Sequence, residues 1–458
     1  MLLQLPYISV QHDWHEAIAD VACAHDKPTN SADTFWISAY GHGKGASIHT
    51  SVTVRKADSG HAGVELTGEG GMEVTLVNHK TIKISYPAQD ISNVTVHAPR
   101  AAYKVTDSPT RIPKPINSID VSPGGELFVV GGDAGDLKIG ELDGGAIRRD
   151  LKGHFGDITT CRFFPSGQVI LSGASDFQLR IWSALDGLNP VTLKGHRAAS
   201  SRDGTIKLWE CGKHGLHHCF VAPVACGGCS TFCTPGTFSP SFTVSLLLIH
   251  KGSAATISTL GNYATPVNKI AIGTVPSTLR GGGDVEVEVD SREVETEDKL
   301  LLAAVSDGSL RGIDLRSKAE VFATSAKSAA SIACAYAPQW NLVVSGDAQG
   351  VINAWDLRDI RQYSTPGTIF ELKPLVTFYR NEYPIQDVVI SKDDKGAPVL
   401  FIATVDGAAC QTSPLLSADP SSLRVTHEYS GFDMDPIANL RLLGKQGVVC
   451  AGRDGVMS

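Results

Sequence analysis

The chain has little of what marks a nucleic-acid or membrane protein. Forty Lys and Arg stand against 48 Asp and Glu, a formal net charge of −8. No basic footprint for a polyanion is present, and basic partners are favoured instead. The longest apolar run is "FTVSLLLIH" at 242–250, far short of the roughly 20 residues a spanning helix needs. The ten cysteines have no framework spacing. The opening "MLLQLPYISVQHDWHEAIAD" has no basic leader segment and reaches Asp13 early, unlike a signal peptide. Free thiols in the cytosol and nucleus are therefore expected. Strongly amphipathic helical windows are nearly missing, which argues against a helical bundle. No paired catalytic carboxylates stand out. "GHGKGAS" at 41–47 lacks the spacing of a phosphate loop.

What is there instead is a repeated strand pair. "LFVVGGDAGDLKIGEL", "VILSGASDFQLRIW", "LLLAAVSDGSLRGIDL", "LVVSGDAQGVINAWDL", "VLFIATVDGAACQTS" and "GVVCAGRDGVMS" each read as a strand, a tight turn with Asp or Gly, and a second strand. Strand pairs recurring at roughly 40 residues signal an all-β propeller. Seven blades are expected, with cores near 116–151, 154–194, 196–219, 265–324, 328–379, 385–429 and 437–458. The second has the full WD-repeat pattern in His154, Ser172, Asp176 and Trp182. There the four side chains form a hydrogen-bonded line, because a buried indole N–H needs a partner. This makes His154 a structural residue rather than a catalytic base. Later blades depart from the pattern: Ile313 and Thr412 occupy Trp positions, and Gln349 an Asp position, although Trp355 is kept. These blades must lean on apolar packing.

Residues 1–110 alternate as strands without these landmarks and read as a small β-rich domain, with the proline-bearing "TDSPTRIPKP" at 106–115 as the link to a propeller over 111–458. "GRDGVMS" begins a strand that needs a partner. "AAYKV" at 101–105 is the expected donor, which would close the ring.

The third copy is short. His154 and Trp182 lie 28 residues apart, whereas His196 and Trp209 lie only 13 apart, with Asp203 at the usual six residues before Trp209. The missing strands would bury side chains worth about 12 kcal/mol, so one defective blade is expected, truncated near 196–210. An uncharged insert follows, with no Asp, Glu, Lys or Arg from 214 to 250. A deletion beside so unlike a segment points to an alternative or mis-spliced message. His217, His218 and Cys219 precede Cys226, Cys229 and Cys233, but one C-x-x-C without a second pair is read as incidental thiols and not a metal site. No cofactor is expected.

The run 284–298 sets eight acids, Asp284, Glu286, Glu288, Asp290, Glu293, Glu295, Glu297 and Asp298, against the single Arg292. It is a solvated loop of the fourth blade or a docking patch for a basic partner. "WDLR" ending at Arg358, echoed by "IDLR" ending at Arg316, matches a short motif of cullin-RING ubiquitin-ligase substrate receptors. It is also a common surface ion pair of this repeat.

"GHFGDITTCRFFPSGQVILSGASDFQLRIWSALDG", "SRDGTIKLWECG", "TPVNKIAIG" and "REVETEDKLLLAAVSDGSLRGIDLRS" together resemble the proteasomal ATPase-associated factor family, chiefly over about 150–316. The resemblance implies a small N-terminal domain plus a seven-bladed propeller. It also implies a non-enzymatic chaperone, expected as a monomer, that binds the C-terminal domain of one ATPase of the proteasome base during regulatory-particle assembly. Loop residues Phe155, Phe177 and Arg202 are the expected contacts, with the acids of 284–298 steering the encounter. The alternative is a ligase receptor using Arg316 and Arg358. The short blade and the insert depart from the family pattern.

Overall fold

The computed structural model describes residues 2–23, 32–42, 47–57, 63–105, 114–194, 205–210, 219–225, 242–248, 256–276, 296–359, 370–417, 419–443 and 447–458. Alternation in "VILSGA" and "QLRIWS" makes Val169–Ala174 and Gln178–Ser183 an antiparallel hairpin that pairs Ser172 with Arg180 and Ile170 with Trp182. Ile158–Phe163 adds on one side and Val191–Lys194 on the other. Among the described residues seven sheets of this kind follow one another. Their inner strands are Ile116–Val121, Ile158–Phe163, Cys219–Ala225, Val267–Thr274, Ser331–Ala337, Ile385–Lys392 and Ile437–Leu443. Each inner strand touches the next, and the last touches the first, so the sheets close into a ring. The chain is an all-β WD-repeat propeller.

Closure uses the donor expected from sequence: Val456 pairs with Lys104 and Met457 with Tyr103. Met457, Val105, Ile119 and Val130 share one buried cluster at this seam. The N-terminal segment is woven into the ring at two further places. Leu2–Gln4 runs parallel to Val376–Tyr379 at the rim of the fifth sheet. Ile91–His97 runs parallel to Arg424–Tyr429, so the sixth sheet continues through Thr81–Tyr86 to Glu73–Asn78. Against this extension lies a sheet of Tyr7–Val10, Asp33–Tyr40, Ile48–Lys56 and Val64–Gly68. Helix Trp14–Cys23 packs with them, burying Trp14, Ile18 and Val21 at helical spacing. Sequence reading missed this helix.

The joint is polar as well as apolar. Arg380, 5% exposed, forks onto Glu428 at 3.0 and 3.1 Å and stacks over the Tyr7 ring at 4.1 Å. Burial pushes the Glu428 carboxyl up and Arg380 pulls it back.

The third sheet stands where a defective, truncated blade is expected, yet it is complete in strand number. It has four strands in the order Cys219–Ala225, Phe242–Leu248, Thr205–Glu210, Thr256–Asn262. The insert supplies the two inner strands, so Thr205–Glu210 has an inner neighbour in Phe242–Leu248. Chain order is still not that of the other sheets. Ile206 pairs in parallel with Val244, where an antiparallel hairpin would stand in a complete repeat. A backbone ladder needs partners of either polarity, and strand-forming residues in the insert meet that need out of sequence. Ile206 and Leu208 are fully buried against Val267, Leu301 and Ile313 of the fourth sheet.

Candidate functional site: the loop end of the second sheet

Each sheet starts its inner strand at one end of the ring. The second strand returns there, so the turn between second and third strands lies at the same end as the loop entering the sheet. In the second sheet these are residues 151–157 and the turn at Ser175–Phe177. His154 joins them. Its Nδ1 lies 2.8 Å from Asp176 Oδ2 and its Nε2 2.7 Å from Ser172 Oγ, which also accepts the indole N–H of Trp182 at 2.7 Å. Asp176 further accepts the backbone N–H of Phe155 at 3.2 Å and of Gln178 at 3.0 Å. Burial raises the Asp176 carboxyl, but the His154 contact and the two backbone bonds outweigh it, and the net shift is downward.

The Ser–His–Asp arrangement has the connectivity of a nucleophilic triad but not its access. Ser172 is 0% exposed and its oxygen is held between His154 and Trp182. A nucleophile must reach a substrate carbonyl, and this one has no path.

What the line does is brace the loop end that holds Phe155 outward and Phe177 half-buried beside the same aspartate. Phe155 is 87% exposed. Phe177 sits at φ 64°, where the equivalent turns have Gly308, Gly350, Gly407 and Gly455 at 77–81°. A bulky residue in the left-handed region costs on the order of 1 kcal/mol. Such a cost at a loop tip marks recognition more often than packing. Asp157, on the same loop, accepts the N–H of Ala134 at 2.8 Å and ties in the first sheet's turn. Sequence reasoning missed two exposed residues at this end of the ring. Met434, 71% exposed, precedes the seventh inner strand, and Tyr383, 48% exposed, precedes the sixth.

Other expected residues fall differently. Trp209 lies on strand Thr205–Glu210. His196, Arg202 and Asp203 lie outside the described residues, as do Asp284, Glu286, Glu288, Asp290, Glu293 and Glu295, and the insert's His217, His218, Cys226, Cys229 and Cys233. Of the acidic run, Glu297 and Asp298 are described, Asp298 paired with Lys299 at 2.8 Å. Arg358 folds back on Asp356, Nε reaching both carboxylate oxygens at 2.9 Å. Arg316 is half-buried, with its backbone N–H on Asp314 at 3.1 Å.

In the fifth sheet Gln349 does stand at the Asp position, but Asp347 takes over. It accepts the N–H of Gln349 and of Val351, each at 2.9 Å. Trp355, 2% exposed, has no indole acceptor among the described residues and packs with Leu300, Phe322 and Leu357 instead. Ile313 and Thr412 are fully buried at their Trp positions.

Comparison with known proteins agrees with this architecture. The family described as "WD domain, G-beta repeat" matches residues 145–183, the second repeat. The probable proteasomal ATPase-associated factor 1 of Dictyostelium discoideum is 29% identical over 99% of this chain and 95% of its own length. Proteasomal ATPase-associated factor 1 of Homo sapiens is 28% identical over 98% and 97%. The 26S proteasome regulatory subunit RPN14 of Saccharomyces cerevisiae is 44% identical over 71 residues, 16% of this chain and 17% of its own. Built as a WD-repeat ring, the chain is similar along nearly its whole length to proteasomal ATPase-associated factors.

Proposed function

We propose that this protein is a non-enzymatic scaffold that binds a proteasomal ATPase and acts as a chaperone in assembly of the proteasome regulatory particle. The observation that carries the reading is similarity along nearly the whole chain to factors named for association with proteasomal ATPases. No chemistry is needed. A rigid ring presents a broad surface, and occupying the ATPase sterically delays its docking on the proteolytic core. The loop end bearing Phe155 and Phe177 is the proposed contact, since an exposed aromatic on a braced loop supplies a low-entropy anchor. The acids of 284–298 would speed the encounter with a basic surface. The working form is a monomer in cytoplasm and nucleus.

The test is affinity capture from lysate with the wild-type chain and with a Phe155→Ser, Phe177→Gly double variant. Proteasomal ATPases free of the proteolytic core should come down with the wild type and be depleted at least tenfold with the variant. Capture of a cullin-ligase adaptor in place of ATPases would replace this reading with the receptor alternative.

A further inference from the structure

At the centre of the ring a chain of charges runs between inner strands. Arg162 of the second sheet meets Asp120 of the first at 3.1 Å, and Arg441 of the seventh meets the same oxygen at 3.1 Å. Arg441 also meets Asp387 of the sixth sheet at 3.1 Å, and Asp387 binds Lys269 of the fourth. Three cations thus share two carboxylates.

Both carboxylates are full. Asp387 takes Lys269 Nζ and the Val388 N–H on Oδ1, and Arg441 Nη1 and the Leu440 N–H on Oδ2. Asp120 takes Arg162, Arg441, the Phe163 N–H at 2.8 Å and the Val121 N–H. A carboxylate offers about four acceptor sites, so neither can serve another donor. Yet Arg441 Nη2 is buried with no acceptor among the described residues. The inner strand of the third sheet, Cys219–Ala225, brings no acid, its sequence being CFVAPVA. At the register of Asp120, Arg162 and Arg441, the fourth, fifth and sixth inner strands have the small, half-buried Ala271, Ala335 and Val389.

A buried guanidinium N–H without an acceptor is costly, and a surplus positive charge in a shielded site is costlier still. One added acceptor with negative charge removes both costs. We propose that the centre of the ring is a binding site for a small inorganic oxyanion, held by Arg441 Nη2 with Arg162 beside it. A neutral water would satisfy the N–H but leave the extra charge, and it would not discriminate among salts.

The experiment is a calorimetric titration of the full chain with inorganic phosphate at fixed pH and ionic strength, chloride being exchanged for phosphate. Saturable binding of one phosphate per chain is expected, weakened at least tenfold in Arg441→Gln and measurably in Arg162→Gln. Urea midpoints of the wild type should rise with phosphate over the same concentrations. A wild-type chain that shows no saturable uptake up to tens of millimolar overturns the proposal, whether or not the variants fold. So does unchanged affinity in both variants.

Discussion

Removing one carboxylate should reveal how much of the second sheet hangs on the polar line. Asp176→Ala strands three donors: His154 Nδ1, now 2.8 Å from Oδ2, and the backbone N–H groups of Phe155 and Gln178. The His154 side chain is 0% exposed and that of Asp176 8%, so water cannot readily replace the acceptor lost to His154, whereas it can reach the exposed Phe155 N–H. At about 1 kcal/mol for each buried stranded donor, and more where the lost partner is charged, the loss is about 2–3 kcal/mol. Asp176→Asn keeps one oxygen and should lose about a third of that. Urea unfolding followed by tryptophan fluorescence reads the difference, since Trp182 ends the same line. The Asp176 carboxyl titrates below its ordinary range in the fold. Its contribution is therefore present above the unfolded value near 4 and lost as pH falls through the folded value. The alanine variant should show a flatter acid limb than the wild type. A loss under about 1 kcal/mol, with the acid limb unchanged, would mean that packing around Trp182 and not the hydrogen-bonded line holds the sheet.

The joint between the N-terminal sheet and the sixth ring sheet should weaken in acid. His97 stacks on His427 and on Tyr429, each with ring centroids 5.3 Å apart. Burial, then His427, lowers the His97 pKa to about 4, and burial and Lys83 lower that of His427. Imidazoles held neutral in the fold charge first in the unfolded chain. Stability is then flat above about 6.5 and falls as pH drops towards 4, by on the order of 1–2 kcal/mol after allowing for partial exposure. His97→Phe should flatten that slope in pH-dependent melting. Arg358→Ala should leave ATPase capture intact, because Nε and Nη2 of the guanidinium are engaged in a surface pair with Asp356; loss of capture from a normally folded variant would refute this. Replacing the acids of 284–298 by Ser or Asn should slow ATPase association at low salt and remove its salt dependence, as stopped-flow rates would show.

Local signals carried much of the ring. The spacing from His154 through Asp176 to Trp182 is short-range, and the structure brings these side chains together with Ser172. The strand at Tyr103–Lys104 was legible because a strand at 456–457 needed a partner. What escaped were pairings over long sequence distances. Nothing near Leu2 says that it will lie beside Thr377, nor near Thr95 that it will meet His427. Asp120, Arg162 and Arg441 look like ordinary polar residues of separate strands until the ring brings them together. The helix was missed for a different reason. Trp14, Ile18 and Val21 do have helical spacing, but ten residues are too few to outweigh a chain otherwise full of strand alternation. Asp347 is not legible from the repeat spacing because it stands two residues before the usual Asp position, from where its carboxylate still reaches the turn amides of Gln349 and Val351.

The third sheet shows how a ring tolerates a damaged repeat. Thr205–Glu210 keeps its outer antiparallel neighbour, Thr256–Asn262, and takes a parallel inner one from the insert. Parallel pairing is slightly weaker per residue, and it demands crossovers where a hairpin would suffice. Loop closure grows only as the logarithm of loop length, so those crossovers cost little beside a missing pair of strands. The expected ranking follows. A chain lacking 211–250 should melt lowest and associate through the bared edge of Thr205–Glu210. The present chain should be intermediate. One with the 15 residues restored after His196 and the insert removed should melt highest, because every pairing is then local and antiparallel. Differential scanning calorimetry and light scattering on the three would read both quantities. If the chain lacking 211–250 melted with the present one and stayed monomeric, the insert's strands would contribute nothing to the ring, and the argument from strand pairing would fail.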